Sequence, residues 1–308
     1  MNSHSLLRLA MTLKASGYSF TTVTPATHAR VNSRLQGGWA RNVTDIFGWN
    51  RPFKQDVIIP QLFTAMYDAD VLASHGEGWI SRVRASTLGD QLFLHSSYPT
   101  TCSDAIFFGP DTYRFANAIT RYLANNVQVR RAVDIGCGAG PGAVMIALKR
   151  QLAEVFAVDI NDTALRYTEI NAQLAGAKRV MTRQSDLLDG VDGDFDLIVA
   201  NPPYLMDTQQ RLYRHGGGCF GEALSLRIAG LARTRLAPGG TILLYTATAI
   251  INGADPFLAL VTPILNDTSL EWHYQELDPD VFGEELDEPA YAEADRIAAV
   301  LLTVRRLQ

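Results

Sequence analysis

The spacing of apolar and polar positions changes character about a third of the way along the chain. Before residue 102, short helix-like and strand-like stretches follow one another without a regular order. After Phe107, short apolar strand patterns alternate with helical patterns of about 10–15 residues. We therefore predict a smaller mixed α+β domain over residues 1–102 and an α/β domain over residues 103–308. Residues 95–101 are predicted to link them, because Pro99 disfavours helix at the residue before it.

The second domain is predicted to hold a seven-stranded, mainly parallel sheet, because strands that alternate with helices form crossover units. The predicted strands cover residues 131–135, 155–160, 179–184, 195–200, 241–246, 270–276 and 296–305. The predicted helices cover residues 114–125, 141–150, 163–174, 222–236 and 255–266. Parallel sheets bind their ligands at the carboxyl ends of the strands, so functional residues are expected directly after each strand.

Composition argues against several classes of protein. Of 308 residues, 47% are hydrophobic and 19% are charged, a balance that fills a globular core and disfavours disorder. The first 100 residues carry 9 Lys and Arg against 6 Asp and Glu, whereas the remainder carries 18 against 26. This distribution is mild evidence against tight binding of duplex nucleic acid. Cys102, Cys137 and Cys219 lack zinc-like spacing, so we expect free thiols in a reducing cytoplasm and no metal site.

The chain is also expected to have no membrane contact. No run of residues reaches the ~18 apolar positions that a membrane span needs. The N-terminal segment carries its charges inside the apolar stretch, which predicts an amphipathic helix rather than a signal peptide. We therefore expect a cytoplasmic protein that is a monomer or a dimer.

A glycine-rich segment follows the first predicted strand of the second domain. Gly136, Gly138 and Gly140 allow a sharp turn and a close approach of the backbone to a ligand. The spacing from Gly138 to Ala143 also fits a loose form of the dinucleotide-binding fingerprint. Asp134, however, lies two residues before Gly136, where a carboxylate disfavours an anionic pyrophosphate and favours a positively charged ligand. S-adenosylmethionine carries positive charge on its sulfonium and ammonium groups.

Acidic residues also end the next two strands. Asp159, 25 residues after the first of these carboxylates, is placed to accept hydrogen bonds from both ribose hydroxyls, with Ile160 beside it. Its alternative role is to cap the following helix, for which Asp162 is better placed. Asp186 is placed to accept from an adenine amino group, and Leu187 to pack on the ring. Carboxylates at three consecutive strand ends resemble the class I S-adenosylmethionine-dependent methyltransferases.

The sequence Asn201-Pro202-Pro203-Tyr204 follows the fourth of these strands. Consecutive prolines stop a strand and stiffen the backbone, which aims the Asn201 side chain and the Pro202 carbonyl at one point. Two acceptors there hold both hydrogens of an NH2 group and direct the nitrogen lone pair toward the methyl group. Tyr204 is expected to lie on the face of a planar acceptor. No strong base is required, because the proton becomes acidic once the nitrogen is alkylated.

This turn resembles that of the small-domain N-methyltransferases that modify release-factor glutamine, adenine N6 in DNA or tRNA, and guanine N2 in ribosomal RNA. The resemblance covers residues 107–240, under half of the chain. It implies S-adenosylmethionine as methyl donor, S-adenosylhomocysteine as product, and a protein glutamine or an RNA base as acceptor. It leaves open a small-metabolite acceptor, a protein that binds the cofactor without catalysis, and a nicotinamide oxidoreductase.

Flanking segments carry further predictions. In the resembling enzymes, a segment before the first core helix closes over the methionine end of the cofactor, which implies cofactor contacts for Thr112 and Tyr113. His215 begins a glycine-rich stretch predicted to form a mobile loop, and it is a candidate base. Residues 276–295 hold 9 acidic residues and no Lys or Arg, which predicts a solvated loop or a surface that repels phosphates. The front domain is expected to recognise the substrate or to act as a lid.

Overall fold

The computed structural model describes residues 2–34, 38–125 and 128–308. Strands β1–β4 cover Leu72–His75, Gly78–Ser81, Val83–Leu88 and Gln91–Ser96; strands β5–β11 cover Arg131–Ile135, Glu154–Asp159, Val180–Gln184, Phe195–Ala200, Leu236–Ile250, Leu270–Asp278 and Arg296–Arg306. Helices α1–α10 cover Ser3–Ala15, Pro25–Asn32, Val43–Phe47, Pro60–Asp68, Pro110–Ala124, Pro141–Lys149, Asp162–Ala175, Ala223–Gly230, Ala232–Arg235 and Pro256–Leu265. Short 3-10 turns lie at Gln55–Val57, Gly283–Asp287 and Pro289–Tyr291.

Strands β5–β11 form one seven-stranded sheet in the order β10-β11-β9-β8-β5-β6-β7. The five strands from β9 to β7 are parallel, and β11 is antiparallel to both of its neighbours. The strand order reverses beside β5, and such switch points hold the ligand crevice in open α/β sheets. The predicted seven-stranded, mainly parallel sheet, with a smaller α+β region before it, is confirmed.

Alternate residues of the central strands face two different cores. On β8, Leu197 and Val199 pack in the core that includes α5, α6 and α7, whereas Ile198 and Ala200 pack in the core that includes α8 and α10. This alternation follows from the period-two side-chain geometry of a strand that helices cover on both faces. The helices therefore hold the carboxyl ends of the strands in fixed positions.

The front region consists of α1–α4 and the hairpins β1–β2 and β3–β4, and its buried residues belong to the same apolar core as α5–α7. Asn171 of α7 joins the two regions. Its fully buried side chain accepts from the Leu94 N–H at 2.9 Å and donates to the carbonyls of Leu94 at 3.0 Å and Ala139 at 2.9 Å. This amide therefore ties β4 to the glycine-rich loop after β5. The domain boundary near residue 102 stays a prediction.

Two predicted elements differ most from the structure. The helix predicted over residues 222–236 is divided into α8 and α9, and β9 begins at Leu236 rather than at residue 241. The sequence pattern predicted a break at residues 238–240 because proline and glycine usually end an element. In the structure β9 pairs with β8 on both sides of this segment through a register shift, so strand pairing overrides the local preference.

Candidate active site

A cavity of about 690 Å3 opens at the carboxyl ends of β5–β8. This volume lies within the roughly 300–1,000 Å3 that cofactor and ligand sites occupy. Eleven of the thirteen residues predicted from the sequence line it, namely Thr112, Asp134, Gly136, Gly138, Asp159, Ile160, Asp186, Leu187, Asn201, Pro202 and Tyr204. Gly140 and Tyr113 lie outside the lining.

The glycines after β5 have two different roles. Gly136 and Gly138 have φ angles of +67° and +55° and border the cavity, and the Gly136 N–H donates to the Val158 carbonyl at 2.8 Å. Gly140 has a φ of +83°, and a Cβ there would lie 2.9 Å from the Thr168 side chain. The structure therefore gives Gly140 a packing role, at the junction of α6 and α7, in place of the predicted cofactor contact.

Asp134 and Asp159 form a buried acidic pair. Asp134 is 1% exposed and accepts from the Ala143 N–H at 2.9 Å, whereas Asp159 accepts from the N–H groups of Gly138 and Asn161, each at 3.0 Å. Burial raises the pKa of both carboxyls, and that of Asp134 reaches about 8 with the neighbouring Asp159 charge contributing. Within the described ranges neither carboxylate has an ion-pair partner. An uncompensated acidic pair in a cavity suits a positively charged ligand.

The cap of α7 is not the residue that the sequence predicted. The Oδ1 atom of Asn161 accepts from the Thr163 N–H at 2.9 Å, and Asp162 lies inside the first turn. The prediction that Asp162 caps this helix is therefore wrong. Because Asn161 fills the capping role, the carboxylate of Asp159 remains directed toward the loop and the cavity.

The end of β7 supplies the outer part of the lining. Asp186 is paired with Arg227 of α8 at 3.1 Å, and the two side chains are 55% and 54% exposed. Leu187 has a φ of +50°, a left-handed conformation that costs an L-residue about 1–2 kcal/mol. Leu187 lines the cavity, and its contact with the adenine ring stays a prediction. Arg227 was not found from the sequence, since a single arginine on a helix carries no signal.

Thr112 and Tyr113 face in different directions. Thr112 lines the cavity, and its Oγ1 atom accepts from the Gly109 N–H at 3.3 Å at the start of α5. The Tyr113 hydroxyl instead accepts from the Thr22 N–H at 3.0 Å, and its ring meets Phe108 edge-on. Tyr113 therefore joins α5 to the front region, and the structure does not bring it to the site as predicted.

Asn201 directly follows β8 and lines the cavity. Its side-chain Oδ1 is buried and has no hydrogen-bond partner in the part of the chain that the structure describes. A buried acceptor without a partner is rare, because it forfeits about 1–3 kcal/mol relative to its hydrated state. The site therefore presents an amide oxygen that is open to a donor on a bound molecule.

The loop 215–221 packs behind the turn at residues 201–204, which is called the reaction turn below. A Cβ at Gly216 would collide with the carbonyl oxygen of Gly221, and a Cβ at Gly221 would collide with the carbonyl of Tyr204. Glycine is thus required here by close backbone packing. His215 lines the cavity, and its Nδ1 atom accepts from the Asp207 N–H at 3.3 Å. A role for His215 as a base stays a prediction.

The acidic segment 276–295 packs partly on the reaction turn, which the sequence did not predict. Glu285 is buried and pairs with Arg214, and Phe282 lines the cavity. The hydroxyl of Tyr291 accepts from the Met206 N–H at 2.8 Å. No local signal could have revealed these contacts, since they join segments about 70 to 85 residues apart.

The segment that connects the two regions also lines the cavity. The Tyr213 hydroxyl donates to the Thr100 carbonyl at 2.9 Å, and its ring stacks on Phe107 with centroids 5.7 Å apart. Arg211, two residues before Tyr213, forms an ion pair with Asp207. In the described residues, no group of three or more His, Cys, Asp or Glu could hold a metal ion, and none of the helices has the length and apolar content to span a bilayer.

Residues 115–249 match the family model of the methyltransferase small domain. This segment includes β5–β8, the three strand-end carboxylates and Asn201. The match supports the resemblance to the class I S-adenosylmethionine-dependent methyltransferases that was recognised from the sequence.

Two curated proteins from Bordetella pertussis resemble part of this chain. Its release factor glutamine methyltransferase is 35% identical over an alignment of 170 residues, which covers 51% of this chain and 62% of that protein. Its ribosomal protein uL3 glutamine methyltransferase is 33% identical over an alignment of 135 residues, which covers 40% of this chain and 45% of that protein. The chain thus spans less than two thirds of the length of these relatives.

Among solved structures, TYW2 of M. jannaschii in complex with AdoMet superposes with a TM-score of 0.50 at 13% sequence identity. The match covers 77% of this chain and 93% of that one. At this level of identity the likeness supports the common fold.

Proposed function

We propose that this chain is an S-adenosylmethionine-dependent N-methyltransferase whose acceptor is a planar amide or amino nitrogen. The observation that carries this proposal is the buried Oδ1 of Asn201, which has no partner among the described residues and lines the same cavity as the carboxylates of Asp134 and Asp159. One end of the cavity thus suits a cationic ligand and the other an N–H donor.

The residues present fit S-adenosylmethionine. Asp134 and Asp159 lack ion-pair partners in the described ranges, and Gly136 and Gly138 leave open space beside the backbone where other residues would carry a Cβ. The residues proposed to hold the cofactor are Thr112, Asp134, Gly136, Gly138, Asp159, Ile160, Asp186 and Leu187. When bound, the cofactor supplies an electrophilic methyl group, and S-adenosylhomocysteine is the product.

The protein's own contribution is orientation. Asn201 Oδ1 and the Pro202 carbonyl accept hydrogen bonds from the NH2 group that is to be methylated, and Tyr204 supplies an aromatic wall. Alignment of two reactants lowers a barrier by about 7–11 kcal/mol, so no further catalytic group is required. The alkylated nitrogen then loses its proton to solvent or to a cavity residue.

The charges around the cavity favour a protein glutamine as acceptor. Its lining contains Arg211, Arg214 and Arg227, and each of them is already paired with a carboxylate. Nucleic-acid binding requires cations that are free to neutralise phosphates. A neutral glutamine side chain needs none, and both Bordetella relatives are named for glutamine methylation. An RNA base is the second candidate, and a small metabolite is the third.

The test is transfer of radiolabelled methyl groups from S-adenosylmethionine into fractionated cell extract, with Asn201→Ala as the matched control. We expect label in the protein fraction, released as N5-methylglutamine on digestion and lost with the variant. Label in the RNA or small-molecule fraction would replace glutamine as the acceptor. Binding of S-adenosylmethionine without any transfer would reassign the chain as a cofactor-binding protein, and binding of a nicotinamide dinucleotide alone would overturn the proposal.

A further inference from the structure

A buried carboxylate lies behind the reaction turn, and neither the cofactor contacts nor Asn201 account for it. Asp111, in the first turn of α5, is 3% exposed and borders the cavity. The hydroxyl of Tyr245 donates to its Oδ1 atom at 2.5 Å. Arg114 contacts the same oxygen at 3.3 Å and continues to Asp278 at 2.6 Å. A series of polar side-chain contacts thus runs from the cavity wall toward the surface.

Tyr204 is the cavity residue that packs against this series of polar contacts. Burial raises the pKa of Asp111, while the hydroxyl of Tyr245 and the charge of Arg114 stabilise its ionised form. Tyr204 is 8% exposed, and its ring meets Tyr245 edge-on at 6.3 Å and Phe282 at 6.1 Å. The hydroxyl of a buried tyrosine needs a polar partner, and Asp111 is the partner of Tyr245, against which the Tyr204 ring packs.

We propose that Asp111 is a positioning residue, which with Tyr245 fixes the Tyr204 ring against the methyl acceptor. This inference rests on the proposed function, because Tyr204 acts on an acceptor only if transfer takes place. Without the carboxylate, the Tyr245 hydroxyl would lose its partner in a buried environment, and the Tyr204 ring that packs against Tyr245 would rotate or withdraw from the cavity wall. A misplacement of about 1 Å at a reacting centre reduces turnover by about a hundredfold.

The chain contains a matched control for this arrangement. Tyr274 of β10 donates its hydroxyl to Asp255 at 2.6 Å, and neither residue lines the cavity. Tyr274→Phe removes a tyrosine–aspartate hydrogen bond of the same kind from the same sheet. It therefore reports the loss of stability that follows from such a bond alone.

The experiment compares Asp111→Asn and Tyr245→Phe with Tyr274→Phe. We expect Asp111→Asn to lower kcat by about ten- to a hundredfold, with S-adenosylhomocysteine affinity by calorimetry within about twofold of the wild type. Tyr245→Phe removes only one hydroxyl and retains the Asp111 carboxylate, so it is the smaller change to the fold. It should show a smaller loss of kcat, again with nearly unchanged S-adenosylhomocysteine affinity. Tyr274→Phe should lower thermal stability and leave kcat and the acceptor KM unchanged.

A second readout needs no activity. With 3-fluorotyrosine placed at position 204, the 19F resonance should shift and broaden in Asp111→Asn and remain unchanged in Tyr274→Phe. An unchanged resonance with unchanged kcat would overturn the positioning role, and so would an equal loss of S-adenosylhomocysteine affinity, which would place Asp111 among the cofactor contacts. If the wild type transfers no methyl group, the proposed function fails, and the 19F comparison still decides whether Asp111 orients Tyr204.

Discussion

The two ends of the cavity are built on opposite principles. At the end formed by β5 and β6, the carboxylates of Asp134 and Asp159 are held by backbone N–H groups of the chain itself. At the end formed by β8, the side-chain oxygen of Asn201 has no partner among the residues described. The first end is preorganised without a ligand, whereas the second is completed only by a bound molecule.

This difference predicts which substitutions should change cofactor affinity and which should change turnover. Substitutions at the first end act on a network that already exists in the free protein, so they should change cofactor affinity and stability. Substitutions at the second end remove groups that matter only once the acceptor is present. Interactions that strengthen only during the reaction raise turnover rather than ground-state binding.

Asn201→Ala should give the largest effect. We expect turnover to fall by about a hundred- to a thousandfold, the effect of losing one preorganised hydrogen-bonding group. S-adenosylhomocysteine affinity should stay within about twofold, because no described residue depends on Oδ1. Kinetics and calorimetry on the same preparation measure both quantities. An equal loss in both would place Asn201 at the preorganised end and remove the contrast.

Asn171→Ala should show how far the preorganised end reaches into the front region. The change leaves three buried backbone groups of Leu94 and Ala139 without their side-chain partner. We expect the free energy of unfolding to fall by about 2–4 kcal/mol, measured by urea denaturation. Asn2→Ala removes an exposed cap of α1 and should cost about 1 kcal/mol or less. Similar losses in both variants would contradict a structural tie between the two regions.

Asp159→Ala tests the preorganised end directly. Loss of charge-assisted hydrogen bonds should weaken S-adenosylmethionine binding by about 1.5–3 kcal/mol, because the carboxylate is proposed to accept from the ribose. Calorimetry at constant pH is the measurement, and the proposed ribose contact is wrong if affinity is unchanged.

The preorganised end was readable from the sequence because its parts are local. Asp134, Asp159 and Asp186 each lie at the carboxyl end of a short strand or just after it, and the topology of a parallel sheet brings such strand ends together. Tyr113 was predicted at the cofactor site beside Thr112, but residues adjacent on a helix point in different directions. The sequence pattern does not indicate that the Tyr113 hydroxyl accepts a hydrogen bond from the Thr22 N–H.

The contacts that cover the cavity could not be predicted. Phe282 reaches it from a segment whose charge pattern predicts a solvated loop, and Tyr213 meets the linker through contacts set by the packing of the whole domain. Asp111 is read from sequence as an ordinary helix-start residue, since its partner Tyr245 lies 134 positions away. Pairings over such distances follow from the fold and leave no periodic signal.

The raised pKa of Asp134 predicts a pH-dependent difference between the two ends. In the free protein, burial holds this pKa near 8 against an ordinary value of 3.8, so the folded chain binds the proton more tightly than the unfolded chain. The associated stability is present below about pH 4 and is lost as the pH rises toward about 8. Asp134→Asn should therefore flatten the pH dependence of the unfolding free energy across this window.

Binding of the cationic cofactor should reverse the preference of Asp134 for its proton. Positive charge nearby favours the carboxylate, so binding below about pH 8 should release a proton, and affinity should rise as the pH approaches 8. Calorimetry in two buffers of different ionisation enthalpy counts that proton, and Asp134→Asn should abolish the difference between buffers. Proton uptake on binding would be incompatible with a cationic group beside Asp134.

Arg227→Ala should give the smallest effect and decide the role of the outer lining. The Asp186–Arg227 pair is half exposed on both sides, so it contributes at most about 1 kcal/mol to stability. If Asp186 accepts from the adenine amino group, releasing it from Arg227 should leave cofactor affinity within about threefold of the wild type or slightly raise it. Asp186→Ala should instead weaken binding. If Arg227→Ala weakened binding by tenfold or more, the arginine itself would be the cofactor contact, and the outer lining would depend on the ligand as Asn201 does.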